Sequence, residues 1–415
     1  MNGLQHKAAL ARRGLFFSVA VLAMAWDASA GISQQPEPAV QQAPVSGRWS
    51  AESVGQLAKI VEASSAEGLD PSFYNLTELR RAAQGGEGAA LDAAADAAAL
   101  TLARDYLFGH VSDRGDMGWM IQRPAYEQAQ LADRLSKAVA SGDIRKFYAS
   151  LLPSDPRYAA LRDALADASD PALRDRLRAN MERWRWMPRA LGEDYLYVNV
   201  PSYQLQVFDG GTSLASYDVV VGANKTRTPM LASPTSSLVV NPWWNVPQSI
   251  IKSSNLRPGK GNYQFQRVGG GYAVRQAPGP RNALGKIKFN LVNDQAIYLH
   301  DTPSKGGFAK DERALSHGCI RVKNIDQLAS QLMGDGGDAA PLDEALARTQ
   351  TATLRLPKTW QVYIVYFTVD GADGSSLTNY SDPYGYDAKI LAKLDAGSSA
   401  MRMASAGGRV QVASR

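Results

Sequence analysis

Near residue 190 the chain changes its hydrophobic period, and no other feature constrains its fold so strongly. Upstream, apolar residues recur at helical spacing. Ser50 stands where an N-cap belongs, ahead of Val54, Leu57 and Val61 on one face, and Gly68 before Asp70-Pro71 marks the stop. Residues 91–108 are largely alanine, the best helix former, and end at Gly109. Leu131, Leu135 and Ala138 mark a third helix and residues 158–165 a fourth. Pro171 suits the first turn of a fifth, with Leu173, Leu177, Met181 and Trp184 inward. Downstream the period becomes two, as in a strand, from Tyr195 to Val200. Residues 203–208 and 217–221 repeat it around the turn Asp209-Gly210-Gly211, and 238–240, 287–292, 296–299 and 362–369 continue it.

The expected fold class is therefore α+β: an all-helical domain over residues 48–186, then a β-rich domain over 190–370. Residues 245–285, rich in Gly, Pro, Asn and Gln, are long for a plain loop and are expected to form a capping or binding segment. Residues 334–338 read as a mobile turn, 371–395 as a C-terminal extension and 396–415 as a disordered tail.

Residues 1–30 carry the pattern of an export signal. Lys7, Arg12 and Arg13 precede an apolar run from Gly14 to Ala25, and Ala28-Ser29-Ala30 offers a cleavage site before Gly31. The apolar run is short for a bilayer span, and no later stretch reads as one, so an exported chain without a stable membrane span is expected. Residues 31–47, with Pro and Gln prominent, read as a flexible lead-in. Losing Lys7, Arg12, Arg13 and Asp27 takes the formal charge from +5 to +3. That mild, scattered charge does not indicate nucleic-acid binding.

Cys319 is the only cysteine, so no internal disulfide is available to it. Two of the three histidines beyond residue 30 lie close by in sequence: His300, nineteen positions upstream, and His317, in Ser316-His317-Gly318-Cys319-Ile320-Arg321. A thiol is a competent nucleophile as thiolate, and an imidazole can take its proton and later return it to a leaving amine. Gly318 would let a substrate carbonyl approach the backbone, where amide N–H groups stabilise an oxyanion. Arg321 would share a face with Cys319 in an extended segment, and there lower the thiol pKa or hold a carboxylate. Tyr298 shares a strand face with His300 and could line the pocket or simply pack. Two other readings stay open on residue types alone: a zinc site of Cys319, His317 and His300, which lacks paired Cys-x-x-Cys spacing, and a core cysteine with incidental histidines.

At these residues the sequence resembles the YkuD-type L,D-transpeptidases, whose signature pairs an upstream histidine with Ser-His-Gly-Cys, an apolar residue and Arg or Asn. Here it reads His300, then Ser316-His317-Gly318-Cys319-Ile320-Arg321. Four further runs resemble the scaffold-bearing, YcbB-like branch: Arg183-Trp184-Arg185-Trp186-Met187-Pro188, Asn241-Pro242-Trp243-Trp244, residues 298–305 and Val365-Tyr366-Phe367-Thr368. That branch often carries a peptidoglycan-binding module ahead of the Arg-Trp segment. Asp170-Pro171 leaves no room for one, so this chain resembles a short form.

The resemblance implies Cys319 as nucleophile, His300 as proton acceptor and donor, the Gly318 backbone at the oxyanion, and His317 shaping the site. Arg321, Tyr298 and Ser316 would contact substrate. It implies a tetrapeptide stem of peptidoglycan as donor, a diaminopimelate amine as acceptor and 3→3 cross-links as product. Carbapenem-type β-lactams would be inhibitors, the periplasm the location, and no metal or cofactor is called for. The same acyl-enzyme would serve an L,D-carboxypeptidase, a D-amino-acid exchanger or an enzyme joining or releasing envelope proteins. A non-catalytic wall-binding protein is the alternative of another class.

Overall fold

The computed structural model describes residues 48–123, 126–259, 262–334, 340–371 and 376–407. The expected export signal, lead-in and most of the mobile turn lie outside these residues.

The N-terminal half is helical, for the reasons legible in sequence. Ser50 accepts from the Ser53 amide and opens the helix Ala51–Ala63, and Gly68, in the left-handed region, closes the turn that follows it. Ala89–Phe108 is the long alanine-rich helix. Leu131–Ser141, Pro156–Asp167 and Pro171–Trp186 follow, the last two with Pro in the first turn and an Asp capping the amides. Leu76–Gln84 and Ile144–Leu151 are short amphipathic helices that sequence periodicity did not resolve.

The β-rich half contains β1 (Tyr195–Asn199), β2 (Gln204–Asp209), β3 (Thr212–Gly222), β4 (Leu231–Val240), β5 (Trp244–Asn245), β6 (Tyr263–Val268), β7 (Gly271–Gln276), β8 (Ile287–Phe289), β9 (Leu299–His300), β10 (Ala314–Ser316), β11 (Ile320–Val322) and β12 (Ala352–Val365). The main sheet runs β10-β3-β11-β9-β8-β4-β12-β1-β2, and β2 pairs again with β3. Eight strands therefore close into a ring of pairings, with β10 attached outside it. Closure leaves those strands few free edges. Fully buried Val, Leu, Ile and aromatic side chains fill the interior, among them Val198, Leu205, Val221, Leu238, Phe289 and Leu299.

The two halves share one continuous apolar core. The Pro171–Trp186 helix carries the joint. Trp184 stacks on Phe367 with ring centroids 4.9 Å apart. Asn180 brackets Thr368, donating to its hydroxyl at 2.8 Å and accepting its amide at 2.9 Å. Arg183 pairs with Asp387 at 2.6 Å. The Arg-Trp-Arg-Trp run is thus structural, with both tryptophans and both arginines buried.

One expectation needs revision, that of the tail. The 245–285 segment, expected to form a cap or binding element, is built around strands. Its strands β5, β7 and β6 form a separate three-stranded sheet over a small core of Trp244, Val246, Val274 and Leu284. Tyr298 packs against that core, tying the cap to β9. The last helix runs Tyr386–Gly407, so residues 396–407 of the expected disordered tail are helical. Alanine and methionine, at 396, 400, 401, 403 and 404, outweigh the Gly-Ser-Ser run there. Residues 408–415 lie outside the described residues.

Candidate active site

Strand register, not sequence distance, assembles the site. β9 pairs antiparallel with β8 and parallel with β11, so His300 stands opposite Lys288 on one side and Arg321 on the other. Residues directly opposite share a face of the sheet. Tyr298, two residues before His300, meets it edge-on with ring centroids 5.5 Å apart. Cys319 enters just ahead of β11, where the Ile320 amide bonds the Tyr298 carbonyl at 3.1 Å.

His300 is buried, and its Nδ1 bonds the Asp301 backbone carbonyl. That bond makes Nδ1 the protonated nitrogen and leaves Nε2 a bare acceptor. Burial pushes the imidazole down to about 3, with the charges of Arg321 and Lys288 adding to it and Asp301 opposing. The ring is therefore neutral across the physiological range.

Asp301 is itself clamped. Its carboxylate accepts the Lys286 amide at 2.9 Å and pairs with Lys305, and its amide donates to Ile287 at 2.9 Å.

The Cys319 thiol is half-buried. It donates to the Ala296 carbonyl, at 3.4 Å. Ala296 holds φ +53°, a left-handed conformation that costs a residue with a Cβ about 1 kcal/mol or more. Asn293 maintains it: its amide oxygen accepts from Gln295 and Ile297, and its nitrogen donates to the Ile297 carbonyl at 2.8 Å. Burial pushes the thiol pKa up, while hydrogen bonding from Tyr298 and the charges of Lys288 and Arg321 pull it back. Tyr298 is raised by burial and by the sulfur, so it stays protonated and can donate.

The loop before Cys319 is closed on itself. The Ser316 hydroxyl accepts the Gly318 amide at 3.0 Å and donates to the Cys319 carbonyl at 2.5 Å. Gly318 turns the chain at φ +118°, a conformation a side chain would oppose. Beneath it the buried Thr228 hydroxyl accepts the Gly222 amide at 2.8 Å and donates to the Gly318 carbonyl at 2.7 Å. Thr226 donates to the Ser316 carbonyl at 2.8 Å.

The Ser316 hydroxyl, expected to contact substrate, is engaged within the loop. The Gly318 amide, expected at the oxyanion, is held by Ser316. His317 is exposed on the outside of the turn. His300, Tyr298, Cys319 and Arg321 do converge. Lys288, Asn293, Ala296, Thr226 and Thr228 were not singled out from the sequence. Their placement comes from register and backbone geometry, although Asn in Asn293-Asp294 is itself a turn signal.

Among the described residues no group of three or more His, Cys, Asp or Glu is placed to hold a metal ion. No described helix is long and apolar enough to cross a membrane.

Residues 193–364 match the family model of the L,D-transpeptidase catalytic domain (YkuD), and residues 45–165 match the model of the Scaffold domain. A Haemophilus influenzae protein, named provisionally as an L,D-transpeptidase, is 32% identical over 321 residues, covering 69% of this chain. The chain spans 65% of that relative's length. Among solved structures, an L,D-transpeptidase from Mycobacterium smegmatis is 14% identical, covers 41% of this chain and 58% of its own, and has a TM-score of 0.24. L,D-transpeptidase 3 from Mycobacterium tuberculosis, solved with a faropenem-derived adduct, is 11% identical over 42% of this chain and 60% of its own, again at a TM-score of 0.24. The chain thus has a helical region that matches the Scaffold domain, followed by a β-rich domain of YkuD type.

Proposed function

We propose that the protein is a peptidoglycan L,D-transpeptidase that forms 3→3 cross-links through a Cys319 thioester. The supporting observation is a neutral, tautomer-locked His300 in register with Arg321, two residues beyond Cys319. His300 Nε2 takes the thiol proton, and the sulfur attacks the carbonyl between diaminopimelate and the terminal D-Ala of a tetrapeptide stem. A C–S bond forms and the oxyanion is met by the Cys319 amide and the Tyr298 hydroxyl. The C–N bond then breaks, His300 returns its proton to the amine, and D-Ala leaves. A diaminopimelate side-chain amine attacks the thioester and passes its proton to His300. The C–S bond breaks, the thiolate takes the proton back from His300, and Cys319 is restored as the thiol.

Rotation of the thiol off the Ala296 carbonyl precedes the first step. Arg321 binds substrate carboxylate, and His317 shapes the rim of the site. The cap over β9 excludes water and so favours the amine over hydrolysis. Export to the periplasm by way of residues 1–30, and acylation by carbapenems, belong to the same reading. Carboxypeptidase, exchange and protein-anchoring activities would use the same thioester with another acceptor.

The deciding experiment incubates the protein with a disaccharide-tetrapeptide beside Cys319→Ala and His300→Ala and reads the products by mass spectrometry. A cross-linked dimer lighter by one D-Ala, absent from Cys319→Ala and reduced at least about a hundredfold in His300→Ala, is expected. Tripeptide alone would make the protein a carboxypeptidase. Untouched tetrapeptide, together with no carbapenem adduct on Cys319, would reject the cysteine mechanism and favour a wall-binding role.

A further inference from the structure

Lys288 reaches the site from β8, and nothing in the motif points to it. Lys288, His300 and Arg321 form one row across three adjacent strands, cation, imidazole, cation. The Lys288 ammonium lies 4.4 Å from the Tyr298 ring centroid, so it projects on the side of the sulfur. Both cations are half-buried. Among the described residues neither has a carboxylate partner, and the charge that favours both is the Cys319 sulfur. The acid adjacent to His300 is already taken, since Asp301 pairs with Lys305.

Two partly desolvated cations without a counter-ion are costly to hold together. Such a pair is suited to an anion that arrives with the substrate.

We propose that Lys288 is a specificity-determining residue that, with Arg321, binds a carboxylate carried within a few bonds of the carbonyl that Cys319 attacks. On the function proposed above, on which this assignment rests, the terminal D-Ala carboxylate fits: it lies three bonds from the scissile carbonyl carbon. Lys288 then reads the chain end. A donor with one residue beyond the cut is accepted, and one whose end is amidated or extended is not.

The simpler alternative is that Lys288 only stabilises the thiolate. Iodoacetate and iodoacetamide separate the two. Each alkylates a thiolate with loss of iodide, and they differ in a carboxylate or an amide beside the electrophilic carbon. In the full-length protein, the iodoacetate-to-iodoacetamide rate ratio at Cys319 should exceed that of free cysteine by about tenfold, the order a charge-assisted contact supplies. Lys288→Met should bring the ratio down to the free-cysteine value, and Lys288→Arg should keep it. A wild-type ratio equal to that of free cysteine overturns the proposal without any variant. So does Lys288→Met slowing both reagents by the same factor.

With turnover, Lys288→Met should cut activity on tetrapeptide about tenfold more than activity on its C-terminal amide. The alkylation ratio does not depend on peptide transfer. A high wild-type ratio in a protein that leaves tetrapeptide untouched would therefore sink the function proposal and spare this site.

Discussion

A Cβ placed on Gly285 would lie 2.2 Å from a carboxylate oxygen of Asp301. Gly285 also sits at φ +61°, so a side chain there is opposed by the backbone as well. The Asp301 carboxylate fills the space a side chain would need. It thereby reaches the Lys286 amide and holds the carbonyl that orients His300.

Gly285→Ala should therefore cost about 2–4 kcal/mol of stability, from the left-handed backbone and the displaced carboxylate together. It should also slow acylation of Cys319 by more than the loss of folded protein explains. Urea denaturation beside carbapenem acylation measures both. A variant as stable and as fast as wild type would mean that Asp301 does not hold His300.

His300 links stability to pH. Its folded pKa, about 3, lies below the ordinary value near 6.5. Below pH 6.5 the unfolded chain binds a proton that the folded chain refuses, so this group's contribution is present above that pH and lost as pH falls. The slope is about 1.4 kcal/mol per pH unit until the folded pKa is reached. Denaturation of wild type and His300→Gln between pH 7 and 4 should show a shallower loss in the variant. Parallel curves would mean the imidazole is not buried neutral.

Glu182 anchors the helical half. Fully buried, it accepts the Val111 amide at 2.7 Å, the Trp186 indole at 3.0 Å and the equally buried Arg185 at 2.7 Å. Removing one member of a buried ion pair strands the other, at about 3–5 kcal/mol. Glu182→Ala should lose that much by chemical denaturation. Glu182→Gln, which keeps an acceptor oxygen, should lose less. Equal, small losses would show that the pair adds little.

Period and punctuation made much of this architecture legible in advance. Ser50, Gly68, Gly109 and Pro171 bound helices because capping and φ preference act locally. Alternation from Tyr195 to Val200 marked a strand because pleat geometry is local too. The helix Leu76–Gln84 escaped because its nine residues bury only Leu79, too weak a stripe for periodicity. The helical tail is hidden in the sequence because the Gly-Ser-Ser run at 397–399 interrupts its alanines.

The site divides along the same line. Cys319, His300 and Arg321 could be named from the chain because their residue types and spacing state a chemistry. What those groups meet is set by contacts between residues far apart along the chain. Ring closure through β2 and β3, Lys288 opposite His300, the thiol turned to Ala296, and the Gly318 amide already held by Ser316 depend on register and backbone angle. By itself the sequence determined which atoms could react. Only the tertiary structure decided which of them are buried, which are charged and which hydrogen bonds are already taken, because desolvation and pairing arise when separate strands are brought together.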